Sequence, residues 1–169
     1  MGIQIKRLVT HLCTTERAVH KAFGTPCLQA VEQTIQASEQ HHTGEIRFAV
    51  ESALALPDLL ANRSARERAV DVFSNLRVWD TEHNNGVLIY VLLADHAIEI
   101  VADRGIHRAV GDAAWDAVCT QVKEAFGRQD YLQGSTRAIE AVSALLMAHF
   151  PCKQLGGPNE LPNRPVVLG

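Results

Sequence analysis

"GVLIYVLLADHAIEIVAD", residues 86 to 103, decides the fold. From Gly86 to Ala94 it is apolar on both faces, and its β-branched and aromatic content suits a strand covered by helices on each side. Asp95 and His96 make a tight connection to "AIEIVAD", so the two halves are predicted to pair as an antiparallel hairpin with Ala94 opposite Ala97 and Leu88 opposite Asp103. Upstream, "EIRFAVES" from Glu45 to Ser52 alternates, with Ile46, Phe48 and Val50 on one face, and reads as an earlier strand. Between the two strands, Ser64 stands three residues before Glu67 as a capping box, followed by Ala69, Val72, Phe73 and Leu76 at helical spacing. Strand, helix and strand form a βαβ unit, whose strands should run parallel with a right-handed crossover.

Working outward, helices flank this unit. Residues 5 to 22 read as one or two short helices with Thr14 as a cap. Thr25 is predicted to cap a helix with Pro26 in its first turn and Leu28, Val31 and Ile35 on one face, ending at Gly44. Asp112 opens a helix carrying Trp115, Val118, Cys119, Val122 and Phe126, and Asp130 opens the last one, with Ile139, Val142, Leu145 and Leu146 pointing inward. Residues 1–24 are thus a helical extension, 25–150 the domain, and 151–169 an irregular, exposed tail that holds four of the six prolines.

Composition narrows the function. At 169 residues with 47% hydrophobic and 21% charged residues, the chain can bury a self-sufficient core. A net charge of -3 lacks the positive excess that phosphate backbones require, so nucleic acid is not an expected partner. Cys13, Cys27, Cys119 and Cys152 include no C-x-x-C pair, which fits reduced thiols better than a zinc site or disulfides. No apolar run reaches the ~18 residues of a membrane span and the opening does not look like a signal peptide, so a cytoplasmic protein is expected.

The hairpin has a consequence for chemistry. It brings the end of the third strand beside the beginning of the second, so the segment Trp79 to Asn85 should meet the segment Asp103 to His107. Asp80, Glu82, Asn84, Asn85, Asp103 and Arg104 would then crowd one edge of the sheet. Carboxylates and amide carbonyls are the ligands calcium and magnesium prefer, and neighbouring carboxylates repel one another until a cation or an arginine joins them. Arg104 could be that arginine or could bind a phosphate oxygen. The same residues also have a plain reading: Asn-Gly is a common turn pair, Asp often caps a turn at a strand end, and polar loops need no ligand. Trp79 could wall a groove or pack under its own loop. His83 and His107 could be ligands, proton carriers or surface residues. His41 and His42 close a helix, where the dipole favours imidazolium.

At these positions the chain resembles the TPM domain, the family named after a thylakoid-lumen protein, a photosystem II repair protein and a modulator of acetylcholine receptors. The resemblance rests on Trp79, Asn85-Gly86-Val87-Leu88, Gly105-Ile106, Asp112, Phe126 and Asp130-Tyr131-Leu132-Gln133-Gly134, spread in order over residues 25 to 150. It implies a three-layer α/β/α sandwich around a small mixed sheet, a polar groove that binds divalent cations, and accessory roles in assembling or repairing membrane complexes. It also implies weak acid-phosphatase activity in some plant members. Where the family often has Trp-Gly, Asp-Asn-Gly and Gly-Tyr-Gly-Leu-Glu, this chain has Trp79-Asp80, Asn84-Asn85-Gly86 and Asp103-Arg104-Gly105-Ile106-His107. One acid has become an amide and another a histidine, while Asp80 and Asp103 are added acids.

Three functions follow as expectations. The first is a binding module in which Asp80, Asn84, Asn85 and Asp103 hold Ca2+ or Mg2+ and a groove lined by Trp79, Glu82, His83, Arg104 and His107 docks a protein partner. The second is a metal-assisted phosphatase, with Asp103 and Arg104 as its catalytic candidates. The third is a folded scaffold with no ligand site. No organic cofactor is expected.

Overall fold

The computed structural model describes residues 5–152 and 159–169. Two short helices, α1 (Ile5–Cys13) and α2 (Glu16–Ala22), precede α3 (Thr25–Ser38) and strand β1 (Glu45–Glu51). Helices α4 (Leu56–Leu60) and α5 (Ala65–Asn75) lead to the hairpin strands β2 (Gly86–Leu92) and β3 (Ala97–Ala102). Then come α6 (Arg104–Val110), α7 (Asp112–Gly127), α8 (Tyr131–His149) and a last strand, β4 (Val166–Leu168). The sheet order is β3-β2-β1-β4, with β1 parallel to β2 and β3 antiparallel to it.

Local chemistry accounts for most of these elements. Ser64 and Glu67 form the reciprocal capping box at the start of α5, each side chain bonded to the other's backbone N–H. The Asp130 carboxylate accepts from the Gln133 N–H at 3.1 Å and opens α8. Every residue of β2 is buried, because two separate cores cover the sheet. Ile46, Phe48, Val50, Val87, Ile89 and Val91 face the layer of α3, α7 and α8, whereas Leu88, Tyr90 and Leu92 face α5. On the α5 side a charged group is buried as well: Arg68 holds Glu51 through two nitrogens, at 2.8 and 2.9 Å, and the Tyr90 hydroxyl donates to the same carboxylate at 2.5 Å. A buried carboxylate satisfied in this way avoids the desolvation penalty of an unpaired charge.

Several expectations are corrected. The hairpin pairs Leu92 with Ala97 and Leu88 with Val101, two residues away from the predicted register, across a four-residue connection from Leu93 to His96. The cause lies in β1: the N–H groups of Leu93 and Ala94 donate to the carbonyls of Glu51 and Ser52 at 2.9 and 3.0 Å, so the end of β2 is claimed by the parallel partner. His96 takes a φ of 48°, and Asp95 turns to Arg7 and His11 of α1. A shift of two preserves which face each side chain occupies, so the core pattern survives the error.

The tail is not irregular throughout. Val166, Val167 and Leu168 pair with Ala49, Val50 and Glu51 and cover the outer edge of β1, while residues 153–158 lie outside the described residues. Two side chains of β1 fasten this segment. The Glu45 carboxylate accepts the N–H groups of Glu160 and Leu161, and Arg47 donates to the carbonyls of Pro162 and Arg164. Thr14 does not cap α2; its hydroxyl donates back to the Thr10 carbonyl, and Thr15 occupies the cap position without a side-chain bond. Gly24 precedes α3, with Thr25 inside it, and α3 ends at Ser38, well before Gly44. Gly111, at φ 81°, precedes α7, and Asp112 is its first residue. The helices α4 and α6 were not expected from the sequence.

Candidate functional site

The two distant segments do meet. Because β3 pairs two residues further along than expected, Asp103 lies opposite Gly86, and its N–H donates to the Gly86 carbonyl at 2.8 Å. The Ile106 N–H donates to the Asn84 carbonyl at 3.2 Å. A Cβ at Gly105 would sit 2.5 Å from the Asn84 carbonyl oxygen and 2.6 Å from that of His83, so only glycine allows α6 to begin this close to the 83–84 turn. Asn84 itself takes a φ of 51°, which Asn tolerates better than most residues.

The side chains of the predicted set are not gathered as expected. Asn85 is fully buried, and its Nδ2 donates to the Thr43 carbonyl at 3.0 Å, tying the start of β2 to the start of β1; its Oδ1 has no partner among the described residues. Asp103 is 5% exposed. Its Oδ1 accepts from the Arg104 N–H at 2.6 Å to cap α6, and its Oδ2 is buried without a partner among the described residues. Asp80, Glu82, His83, Asn84 and Arg104 are exposed, and Trp79 is half-exposed. Glu82 and His83 line a hollow of about 230 Å3 that faces β1 and the tail. His107 lines a different depression with Trp115 and Cys119, and its Nε2 lies 3.4 Å from Asp112. Among the described residues no three of His, Cys, Asp and Glu are placed together to hold a metal ion.

Sequence reasoning missed most of the hollow beside Glu82. Its walls include Glu39, His42 and Glu45 from the α3–β1 connection and Glu160 and Asn163 from the tail. Burial pushes the Glu39 carboxyl up to about 8, with the nearby Glu45 charge adding to the effect against the bond from the Ile46 N–H. Burial raises the Glu45 carboxyl too. His42 is 2% exposed, and burial lowers its imidazole to about 4, so the ring is neutral rather than the imidazolium that a helix end would favour. Its Nδ1 donates to the Gly44 carbonyl at 2.9 Å, which leaves Nε2 as a bare lone pair, buried and without a partner among the described residues. One signal was legible: β1 and β2 pair as Glu45 opposite Gly86, so the acid that starts one strand adjoins the asparagines that start the other. Nothing local marked the tail's contribution.

The TPM domain pattern matches residues 25–145. The chain belongs to the TPM domain family. The BA42 protein of the psychrophilic bacterium Bizionia argentinensis, solved by NMR, is 32% identical over 85% of this chain and 93% of its own, with a TM-score of 0.71. The N-terminal domain of the cg2496 protein from Corynebacterium glutamicum is 12% identical over 78% of this chain and 77% of its own, with a TM-score of 0.48. A search of curated proteins found no match. Among the described residues of this TPM domain no helix is long and apolar enough to cross a membrane.

Proposed function

We propose that this TPM domain is a cytoplasmic binding module that takes a calcium or magnesium ion at the rim where β2 meets β3 and serves as an accessory factor in assembling or maintaining a protein complex. One observation carries the reading: the Oδ2 of Asp103 is a buried carboxylate oxygen with no hydrogen-bond partner among the described residues. Such an atom costs ~1–3 kcal/mol or more unless something compensates it, and a hard cation is one such compensation. The donor set fits an ion held by one carboxylate, with amide and main-chain oxygens and retained waters completing its shell, which is nearer to magnesium's habit than to calcium's. Asp103 would be the charged ligand, with Asn84 and Asn85 supplying neutral oxygens and Asp80 acting through the solvent from its exposed position. The adjoining groove is where a protein partner would dock.

Melting with and without metal tests this, since a ligand that binds only the native state raises its stability by RT ln(1 + [L]/Kd). Millimolar Mg2+ or Ca2+ should raise the Tm of the wild type and leave Asp103→Asn unmoved. Asparagine keeps an Oδ1 that can still cap α6, so the variant removes the charge and not the helix start. A Tm indifferent to metal in the wild type would sink the proposal.

A second reading, a weak metal-assisted phosphatase, is favoured by Arg104, which is exposed beside Asp103 and could offset charge on a phosphoryl group. Hydrolysis of an aryl phosphate should then fall sharply in Asp103→Asn. Equal turnover in both proteins would point to a different source of activity.

A further inference from the structure

The hollow of about 230 Å3 between the α3–β1 connection, the 82–83 turn and the tail has an unusual donor balance. Four acidic side chains contribute to its walls, from Glu39, Glu45, Glu82 and Glu160, with Glu39 held as the protonated acid at neutral pH, and among the described residues no lysine or arginine does. Among the described residues none of the four makes an ion pair. Three of them are held in place by main-chain donors: Glu39 accepts from Ile46 at 2.9 Å, Glu45 from Glu160 and Leu161 at 3.2 Å, and Glu160 from Glu82 at 2.8 Å. These bonds fix the carboxylates and leave further lone pairs over, since a carboxylate has about four acceptor positions. Two more acceptors in the walls are buried and, among the described residues, unused: the Nε2 of His42 and the Oδ1 of Asn163. His42 is 2% exposed, and its other ring nitrogen is committed to Gly44, so among the described residues Nε2 has nothing to accept from.

A hollow walled by acidic side chains, with two buried acceptors unused and no lysine or arginine among the described residues of its lining, asks for a cation that brings donors of its own. A bare metal ion or an ammonium would need several acceptors converging on one point, and no three of these His, Cys, Asp and Glu side chains converge among the described residues. A guanidinium is different. It spreads five N–H donors around a plane and can satisfy acceptors that lie apart.

We propose that this hollow is a binding site for a guanidinium group, with Glu82 and Glu160 drawing it in at the mouth and His42 and Asn163 accepting its N–H donors. The site is separate from Asp103 and does not depend on metal. It would take either an arginine side chain of a polypeptide or a small free guanidinium compound; the recognition chemistry is the same.

The test uses the full chain with 15N and 13C labels and titrates N-acetyl-argininamide, N-acetyl-lysinamide and free arginine while following backbone and side-chain shifts. The site predicts saturable shifts centred on His42, Thr43 and Asn163 with the arginine derivative, and binding at least about fivefold weaker for the lysine one. The double variant Glu82→Gln/Glu160→Gln should bind roughly tenfold more weakly with an unchanged fold. Both side chains are exposed, and a glutamine at position 160 can still accept from the N–H of residue 82. Stronger binding of the capped derivative assigns the source to a polypeptide arginine, and stronger binding of free arginine assigns it to a small molecule. Equal, diffuse and salt-sensitive shifts with arginine and lysine derivatives would reduce the effect to general attraction by an acidic surface and overturn the proposal. Shifts that do not saturate, or that centre away from His42, would overturn it too.

Discussion

Replacing Gly86 with alanine is expected to lower the melting temperature by roughly 6–12 °C, the consequence of about 3 kcal/mol lost in a chain of this size. The added Cβ would lie 1.9 Å from the carbonyl oxygen of Val78 and 3.1 Å from its Cγ1. Overpacking usually relaxes through side-chain rotation, but here the obstacle is main chain. The loop from Val78 to Asn85 would have to lift, and that loop carries the Thr81 hydroxyl that accepts from Asn85 and the Asn84 carbonyl that accepts from Ile106. Stability and the rim geometry should therefore fail together: the variant should lose both its melting temperature and the metal-induced rise. Gly127→Ala is the control. Nothing lies within 4 Å of a Cβ there, at the end of α7, and its Tm should stay level or rise slightly. A Gly86→Ala protein melting within about 2 °C of the wild type would mean that Val78 does not press on the start of β2.

That contact shows what was legible in the sequence and what was not. The apolar run of β2 and the capping box of α5 are local signals, and they placed the βαβ unit and the hairpin correctly. The meeting of residues 83–86 with 103–106 followed from the hairpin and survived its register error, because a slip of two keeps the same end of β3 beside the same end of β2. The slip itself could not be read from Asp95 and His96, since it was decided by main-chain bonds from Leu93 and Ala94 to β1. The strand at the tail was hidden for a similar reason. Its pairing of Val166 with Ala49 joins residues far apart in sequence, and its prolines point toward irregular chain when read alone. As for the site, the approach of the segments was visible, but the direction each side chain takes was not. Asn85 reads as a wholly free ligand until its Nδ2 is found bound to Thr43, which leaves only Oδ1 for an ion, and His42 reads as a helix-end cation until burial is known.

Glu39 and His42 give the stability of this protein an unusual dependence on pH, each with its own sign. Glu39 has its carboxyl raised from 4.5 to about 8, first by burial and then by Glu45, opposed by the Ile46 N–H, Asn163 and the charge of Arg47. Between those two values the native state holds a proton that the unfolded chain has released, so stability falls as pH rises and the full penalty is felt above about 8. His42 acts in the opposite sense. Its imidazole is lowered from 6.5 to about 4, so between these values the unfolded chain binds the extra proton and stability falls as pH drops. The two slopes oppose one another in mildly acid solution, where the protein should melt highest, and of these two groups only Glu39 contributes to the decline from about pH 6.5 to 8. Glutamine at position 39 removes that decline. It can still accept from the Ile46 N–H, and its amide offers a donor to the unpartnered Oδ1 of Asn163. Glu39→Gln should match the wild type near pH 5 and exceed it near pH 8 by roughly 2–4 kcal/mol, at about 1.36 kcal/mol for each pH unit between the two titrations and allowing for partial solvation. Denaturant melts of both proteins across this range decide the matter: curves that stay parallel from pH 5 to 8 would show that Glu39 is ionised in the fold, and that the hollow is wetter than its walls imply.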